Sequence, residues 1–271
     1  MSSTRRRNAA IPRGVDPDGA ALTPGMRILV VGASGAIGSE VVRLLAARGA
    51  TIGAQYHTRA DTLRNLFAEC RLSSRRARSY AADLRGQRAC HELVDRFVQW
   101  AGGLDGLVQL NGDIHRPCRW EDMAEEDWLA DLNVNLSGPF FLVQRAMMHM
   151  KTGGGRVVLT STASARHGGG TMSMAYGVAK AGIECLAKGC ARDGASHRIL
   201  VNAVAPGFID TSFHRARMRR TDEELKRRAA LVPLKRAGRP DEVARLIVYL
   251  LSPAAGYITG ECIAVSGGDW L

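Results

Sequence analysis

A tyrosine and a lysine four positions apart are the residues of this chain best suited to proton transfer. Tyr176 and Lys180 lie in the segment YGVAK, and residues at this spacing share one face of a helix. An unperturbed tyrosine has a pKa of about 10, so alone it is a poor acid or base at neutral pH. A lysine cation one turn away favours the phenolate. The spacing therefore predicts an acid–base pair in which Lys180 lowers the pKa of Tyr176.

A glycine-rich segment near the start of the chain provides a second chemical signal. GASGAIG spans residues 32–38, between a predicted strand and a predicted helix. Glycines at such a turn let a pyrophosphate approach the backbone and bind at the helix N-terminus. The alternative is a purely structural turn, but its position favours dinucleotide binding. The cofactor-binding residues predicted here are Gly32, Ser34, Gly35, Ala36, Ile37 and Gly38.

The residues after the second predicted strand indicate which dinucleotide binds. An NAD site usually places Asp or Glu about 20 residues past the glycines to hold the ribose 2′-hydroxyl. This chain instead has QYHTR at 55–59 and no acid before Asp61. Arg59, with His57, is suited to pair with the 2′-phosphate of NADP, which a carboxylate would repel. We therefore predict NADP(H) rather than NAD(H). The alternative interpretation makes Arg59 a solvated surface residue.

Alternating strands and helices must position these groups. Short apolar runs predict buried strands, and longer amphipathic stretches predict helices. The predicted strands lie at 26–31, 51–56, 77–81, 104–110, 156–160, 200–205 and 262–265. The predicted helices lie at 37–48, 60–70, 86–101, 124–151, 173–195 and 240–252. This order predicts an α/β fold, a single-domain Rossmann-type doubly wound parallel sheet of about seven strands over residues 26–271.

Further segments follow in a characteristic order. They are DL (83–84), VNLSGPF (134–140), GRVVLTST (155–162), VNAVAPGFIDT (201–211), RPDEVARLIVYLLS (239–252), ITG (258–260) and SGG (266–268). With the glycine segment and YGVAK, they make the chain from Met26 onward resemble the short-chain dehydrogenase/reductase family. The last segments are most similar to the branch of 3-oxoacyl-acyl-carrier-protein reductases and sugar or polyol dehydrogenases.

The resemblance implies roles for individual residues. Tyr176 would donate or accept the proton, and Lys180 would hold the nicotinamide ribose and lower the pKa of Tyr176. Asn135 would support a water that links Lys180 to bulk solvent. The resemblance also implies further cofactor contacts. Asp83 and Leu84 would flank the adenine, and Asn111 and Gly112 belong to the segment that matches the family's NNAG. The residues around the nicotinamide would be Pro206, Gly207, Ile209 and Thr211.

The hydroxyl that orients the substrate carbonyl departs from the family pattern. The family's serine aligns with Thr162, which lies fourteen residues before Tyr176 where thirteen is common. An extra residue in the Gly168–Gly170 run is therefore implied. Ser161 and Ser164 are the competing hydroxyls. Threonine keeps the donor and the acceptor but adds a methyl group, which narrows the site.

Composition limits the possible classes of protein. The chain has 271 residues, of which 46% are hydrophobic, enough for a substantial core, and no apolar run approaches the length of a membrane span. Six dispersed cysteines indicate thiols of a reducing compartment, and the histidines lack metal-ligand spacing, so we expect a cytoplasmic protein without a metal site. Residues 1–25 predict a disordered basic tail, with a transit peptide over 1–15 as the alternative.

Together these features predict an NADP(H)-dependent oxidoreductase acting on a ketone or secondary alcohol, with a 3-oxoacyl compound as one candidate substrate. The alternatives are an NAD-linked sugar or secondary-alcohol dehydrogenase, and a non-catalytic dinucleotide-binding regulator or nucleic-acid binder, suggested by the net charge of +11. Intact Tyr176, Lys180 and Asn135 argue against the non-catalytic readings.

Two further predictions concern partners. Between residues 208 and 232, a predicted lid has seven basic and four acidic residues, which suits an anionic or carrier-linked substrate, although a solvated basic face is equally compatible. Apolar residues on several faces of helices 124–151 and 173–195 predict a homotetramer.

Overall fold

The structure is a computed structural model that describes residues 21–269. Most of the predicted basic tail lies outside the described residues, as do residues 270 and 271. Leu22 is 7% exposed and packs against the hydrophobic core. Apolar packing therefore begins N-terminal to Met26.

One sheet of seven parallel strands forms the centre of the domain, in the order β3-β2-β1-β4-β5-β6-β7. The strands are β1 (Arg27–Val31), β2 (Thr51–Tyr56), β3 (Ala77–Ala81), β4 (Gly106–Gln109), β5 (Gly155–Thr160), β6 (Ile199–Pro206) and β7 (Cys262–Val265). The central strands are buried on both faces, which explains their continuous apolar sequences. The predicted fold class is confirmed.

Helices cover both faces of the sheet. They are α1 (Ala36–Ala47), α2 (Ala60–Glu69), α3 (Gln87–Ala101), α4 (Glu125–Leu132), α5 (Gly138–Met150), α6 (Met174–Gly194), α7 (Ser212–Ala216), α8 (Asp222–Leu231) and α9 (Pro240–Leu251). Side chains of α1, α2 and α9 form the core on one face, and those of α3, α5 and α6 form it on the other. Each fully buried Leu, Ile or Phe there contributes roughly 1.5–3 kcal/mol.

The predicted helix 124–151 is interrupted in its middle. Residues Asn133–Ser137 form a π-helical turn between α4 and α5, closed by the N–H of Gly138 donating to the carbonyl of Asn133. Pro139 follows and has no N–H to donate to the carbonyl of Asn135, so a regular α-helical ladder cannot continue there. The interruption places Asn135 at a point where the helix is locally widened.

The order of the strands determines where a ligand can bind. From β1 the chain proceeds outward to β2 and β3, then returns to β4 on the other side of β1. The loops after β1 and β4 consequently leave the sheet toward opposite faces and open a crevice at their carboxyl ends. Within residues 21–269, no helix has the length and apolar character needed to cross a membrane.

Candidate active site

A cavity of about 890 Å³ follows the carboxyl ends of the strands. It extends from the turn after β1, past the residues that follow β2 and β3, to the ends of β5 and β6. Residues of α6 and of the lid, 208–232, complete its wall. This is the crevice in which open α/β sheets bind their ligands.

Most of the predicted site residues line this single cavity. Those that do are Gly32, Ser34, Gly35, Ala36, Ile37, Gly38, His57, Arg59, Asp83, Leu84, Asn111, Gly112, Thr162, Tyr176, Lys180, Pro206, Gly207 and Thr211. Ile209 is not among them, and its place beside the nicotinamide stays a prediction. It is 4% exposed and packs into the core, where its backbone bridges to Gly238. Asn135 is fully buried and does not itself line the cavity, but it contacts residues that do.

The glycine turn has no room for side chains where it meets the rest of the fold. Gly32 has a φ of 76°, and a Cβ there would lie 2.8 Å from the backbone nitrogen of Asn111. A Cβ at Gly38 would lie 2.3 Å from the carbonyl oxygen of Gly32. Helix α1 begins at Ala36, with no side-chain cap and no acid in its first turn. Its first N–H groups are therefore suited to bind an anion.

Gln55 holds this turn in place, and sequence reasoning did not single it out. Its side-chain oxygen accepts from the N–H of Gly32 at 2.9 Å, and its Nε2 donates to the carbonyl of Ala82 at 2.8 Å. Gln55 is 3% exposed. An amide inside an otherwise apolar strand was the available signal, because a buried polar side chain must find partners.

The far end of the cavity carries the groups expected to contact adenosine. Asp83 accepts from Nε of Arg85 at 3.0 Å, and Nε2 of His57 lies 4.0 Å from Asp83. Arg59 lines the same end and forms no ion pair with the described residues. Its guanidinium is therefore the cation there that remains available to a ligand phosphate.

The segment after β4 is stabilised by Gln109. The Nε2 of Gln109 donates to the carbonyl of Asn111 at 2.7 Å and to its side-chain oxygen at 2.9 Å. Thr160 donates its hydroxyl to the carbonyl of Gln109 at 2.7 Å. These bonds hold residues 109–112 in place at the end of β4.

Tyr176 and Lys180 share one face of α6, as their spacing predicts. Lys180 is 2% exposed, and its Nζ lies 5.7 Å from the centroid of the Tyr176 ring. The same Nζ donates to the carbonyl of Thr160 at 2.8 Å. The ammonium group thus lies over the ring face and is held by the end of β5.

The predicted lowering of the pKa of Tyr176 is not observed. Burial, together with the carboxylates of Asp131 and Asp113, raises the pKa of Tyr176 to about 12, and the Thr162 hydroxyl offsets only part of this rise. Burial also lowers the pKa of Lys180 to about 7. The desolvation of both groups explains the difference, because it disfavours their charged forms. Tyr176 is accordingly a phenol at neutral pH, in the form that donates a proton.

The three competing hydroxyls point in different directions. Ser161 is 1% exposed and donates its hydroxyl toward the carbonyl of Lys180 and the Glu184 carboxylate, both at 2.9 Å. Thr162 is part-buried beside Tyr176, and its Oγ1 lies 3.2 Å from Oγ of Ser164. The geometry therefore favours Thr162, with Ser164 as its neighbour, over Ser161.

Asn135 connects the π-helical turn to the loop after β4. Its Nδ2 donates to the carbonyls of Asp113 and Asp131 at 2.7 and 2.9 Å, and its Oδ1 accepts from the N–H of Asp113 at 3.1 Å. A Cβ at Gly112 would lie 3.0 Å from Oδ1 of Asn135 and 3.1 Å from Nζ of Lys180. Asn135 and Lys180 therefore approach each other across Gly112.

The lid consists of two short helices and the residues around them. Thr221 caps α8, where its hydroxyl accepts from the N–H of Glu224 at 3.2 Å and the Glu224 carboxylate accepts from the N–H of Thr221. Two of the lid's seven cations pair with carboxylates in or near the lid: Arg215 contacts Asp222, and Arg228 contacts Asp269.

Three arginines that lie between the two lid helices line the cavity. Arg217 is paired with Asp113 across the cavity. Arg219 and Arg220 also line the cavity and form no ion pair with residues 21–269. Among the described residues, no cluster of histidine, cysteine or acidic side chains is suited to a metal ion.

The fold and this cavity are those of a dinucleotide-binding oxidoreductase. A family model described as enoyl-(acyl carrier protein) reductase matches residues 32–269, and the chain belongs to the short-chain dehydrogenase/reductase family. It is an NAD(P)-dependent enzyme of that family.

Relatives with stated activities share about a third of their residues with this chain. It is 35% identical over 243 residues to the 3-oxoacyl-[acyl-carrier-protein] reductase of Thermotoga maritima, covering 89% of this chain and 96% of that one. It is 33% identical to the acetoacetyl-CoA reductase of Shinella zoogloeoides, covering 89% and 97%. A short chain dehydrogenase of Burkholderia cenocepacia, solved in complex with NADP, superposes with a TM-score of 0.83 at 30% identity over 91% and 98% of the two chains.

Proposed function

We propose that this enzyme is a cytoplasmic, NADP(H)-dependent reductase of 3-oxoacyl-type ketones. The observation on which the proposal rests is that Tyr176, Thr162 and Lys180 line the same cavity as the glycine turn and Arg59. One elongated site therefore brings together a proton donor, a second hydroxyl and groups suited to a phosphorylated dinucleotide.

The residues along the cavity fit a nicotinamide dinucleotide. The uncapped first turn of α1, with Ala36 and Ile37, would bind the pyrophosphate, and Lys180 would hold the nicotinamide ribose. The bound cofactor supplies a hydride for the carbonyl carbon of the substrate. The tight turn at Gly32 and Gly38 supports this assignment, because a side chain at either position would occupy the space that the turn needs.

The preference for NADP(H) rests on charge at the adenosine end. Arg59 is free to pair with a 2′-phosphate, whereas the Asp83 carboxylate is bound by Arg85. A guanidinium binds phosphate through paired, charge-assisted hydrogen bonds. The neighbour from Burkholderia cenocepacia was solved with NADP, which supports the same preference.

In the direction of reduction, the side chains deliver a proton to the carbonyl oxygen. Thr162 donates a hydrogen bond to that oxygen and fixes the carbonyl beside Tyr176, whose phenol then gives up its proton. The protonated Lys180 stabilises the phenolate that this leaves. Asn135 holds the loop after β4 against Lys180 and supports the path by which the phenol regains a proton from solvent.

The substrate class is inferred from the lid and from the relatives. The names of both curated relatives describe 3-oxoacyl thioesters, one linked to acyl carrier protein and one to coenzyme A. Arg219 and Arg220 line the cavity without an ion-pair partner among the described residues, which suits the phosphate groups of such a carrier. Arg219→Gln/Arg220→Gln should raise the KM for acetoacetyl-CoA severalfold and leave the KM for a small neutral ketone unchanged.

We also propose that the enzyme is a homotetramer. Helices α4 to α6 expose large apolar side chains, which a monomer would leave in water: Leu129, Phe140, Met148, Met174 and Val178. Light scattering should give a mass near four times the 29.2 kDa of one chain. A single species at the monomer mass would contradict the proposal. The cytoplasmic location rests on the six cysteines, which all lie in the described residues and are free thiols.

Oxidation of NADPH in the presence of acetoacetyl-CoA is the direct test of the activity. Tyr176→Phe keeps the ring and removes the proton donor, so it should lower kcat by about 10²- to 10⁴-fold. A faster reaction with NADH and a polyol or secondary alcohol would favour the NAD-linked alternative. No turnover with either cofactor, despite binding, would contradict an enzymatic role.

A further inference from the structure

The ion pair between Asp113 and Arg217 joins two parts of the site that are 104 residues apart in sequence. Nη2 of Arg217 lies 2.5 Å from Oδ2 of Asp113, and both residues line the cavity. Asp113 belongs to the loop after β4, and Arg217 ends lid helix α7. Their side chains are 34% and 53% exposed, respectively, so the pair is only partly screened by solvent.

The backbone of Asp113 is bound on its other side to Asn135. Its N–H donates to Oδ1 of Asn135 and its carbonyl accepts from Nδ2, so the asparagine amide holds this residue at two points. Oδ1 of Asp113 also accepts from the N–H of Ile114 at 2.9 Å. A fully buried residue thus holds the backbone of Asp113, and the N–H of Ile114 orients its carboxylate.

Helix α7 also contacts the proton donor. The ring of Phe213 lies 6.3 Å from that of Tyr176, measured between centroids. The N–H of Arg217 donates to the carbonyl of Phe213 at 2.9 Å, which makes the two residues parts of one helical turn. A displacement of Arg217 therefore also moves Phe213, which packs against Tyr176.

We propose that Asp113 is a positioning residue, which holds the lid against Tyr176 through Arg217 while Asn135 holds Asp113. The proposal rests on the proposed function for its effect on catalysis, but its effect on the lid does not depend on which reaction is catalysed. Release of the ion pair frees helix α7 from the loop after β4 and withdraws Phe213 from Tyr176.

Limited digestion with trypsin tests the lid without any substrate. Cleavage after Arg219 and Arg220, followed by mass spectrometry, reports opening of the lid, because a protease needs a locally unfolded segment. Asp113→Asn and Arg217→Gln should each raise the rate of cleavage about two- to fivefold, the effect of losing a solvent-exposed ion pair. The exchange Asp113→Arg/Arg217→Asp should return the rate toward that of the original protein.

Arg215→Gln is the matched control. Arg215 lies on the same helix, but its carboxylate partners, Asp210 and Asp222, belong to the lid itself. Its loss should leave cleavage after Arg219 and Arg220 unchanged. Equal cleavage rates in the original protein, Asp113→Asn and Arg217→Gln would overturn the proposal. So would a parallel rise in cleavage after Arg43 in α1, because that would indicate unfolding of the whole domain.

Kinetics supply the second measurement. Asp113→Asn and Arg217→Gln should lower kcat/KM for the ketone, and the charge exchange should restore part of it, whereas Arg215→Gln should not change it. If the original protein reduces no ketone but the lid of Asp113→Asn is still cleaved faster, the proposed function fails and the positioning role stands. If the original protein is active and no variant alters the lid, the positioning role fails alone.

Discussion

Phe213 of the lid packs against Tyr176, with ring centroids 6.3 Å apart and ring planes inclined by 35°. Helix α7, which contains Phe213, begins directly after Thr211, five residues past the end of β6. Tyr176 is thus covered by an aromatic side chain from a segment 37 residues later in the chain.

Phe213→Ala should weaken the closed form of the site. An aromatic pair contributes about 0.5–1.5 kcal/mol beyond its buried area, so kcat/KM for the ketone should fall about two- to twelvefold. Leu231→Ala is a suitable control, because Leu231 lies in the same lid but is 74% exposed. Steady-state kinetics with both variants provide the measurement. An equal loss in the two would mean that the contact with Tyr176 is not the cause.

Arg59→Ala should reduce the preference for NADPH over NADH. Removing a charged hydrogen bond to the 2′-phosphate costs about 1–3 kcal/mol, and only the phosphorylated cofactor should be affected. The ratio of kcat/KM values for the two cofactors is the quantity to measure. Arg64→Ala, at an exposed arginine of α2 that pairs with Asp61, is the control and should leave the ratio unchanged. A native preference for NADH would refute the prediction at once.

Thr162→Val should lower kcat strongly, and Thr162→Ser should largely preserve it. Loss of one hydrogen-bond donor to a developing oxyanion typically costs about 10²- to 10³-fold in kcat. Ser161→Ala should affect stability more than turnover, because Ser161 is hydrogen-bonded to Lys180 and Glu184. If Ser161→Ala or Ser164→Ala abolished activity while Thr162→Val did not, the assignment of the hydroxyl would be wrong.

The rate of ketone reduction should decline as the pH rises through about 7. Burial lowers the pKa of Lys180 to about 7, so this side chain is a cation below that pH and neutral above it. The pKa of Tyr176 is raised to about 12, so the phenol keeps its proton across the same range. The rise in pH therefore removes only the positive charge of Lys180, which stabilises the phenolate of Tyr176.

The pH profile of kcat/KM in the original protein and in Lys180→Met gives the measurement. Lys180→Met should be slower at every pH and should lose the decline near 7. An unchanged profile in this variant would show that another group titrates there.

The sequence alone was sufficient for the class of fold and for most of the residues that line the cavity. Apolar runs separated by amphipathic stretches predict the parallel sheet, because strands buried on both faces have such continuous apolar sequences. The glycine turn, Tyr176 and Lys180 are recognisable because their chemistry depends on local geometry, a tight turn in one case and one helical turn in the other.

Only the tertiary structure decided the remaining features, and the reason is that they depend on burial or on distant contacts. The pKa of Tyr176 rises because the packed domain removes water from the phenol, which no local spacing reveals. The Ser161 hydroxyl points away from that of Thr162, because it donates to the carbonyl of Lys180 in α6. Asp113 and Arg217 meet only because the lid folds back across the sheet. They are far apart along the chain, so no local sequence pattern predicts that they pair.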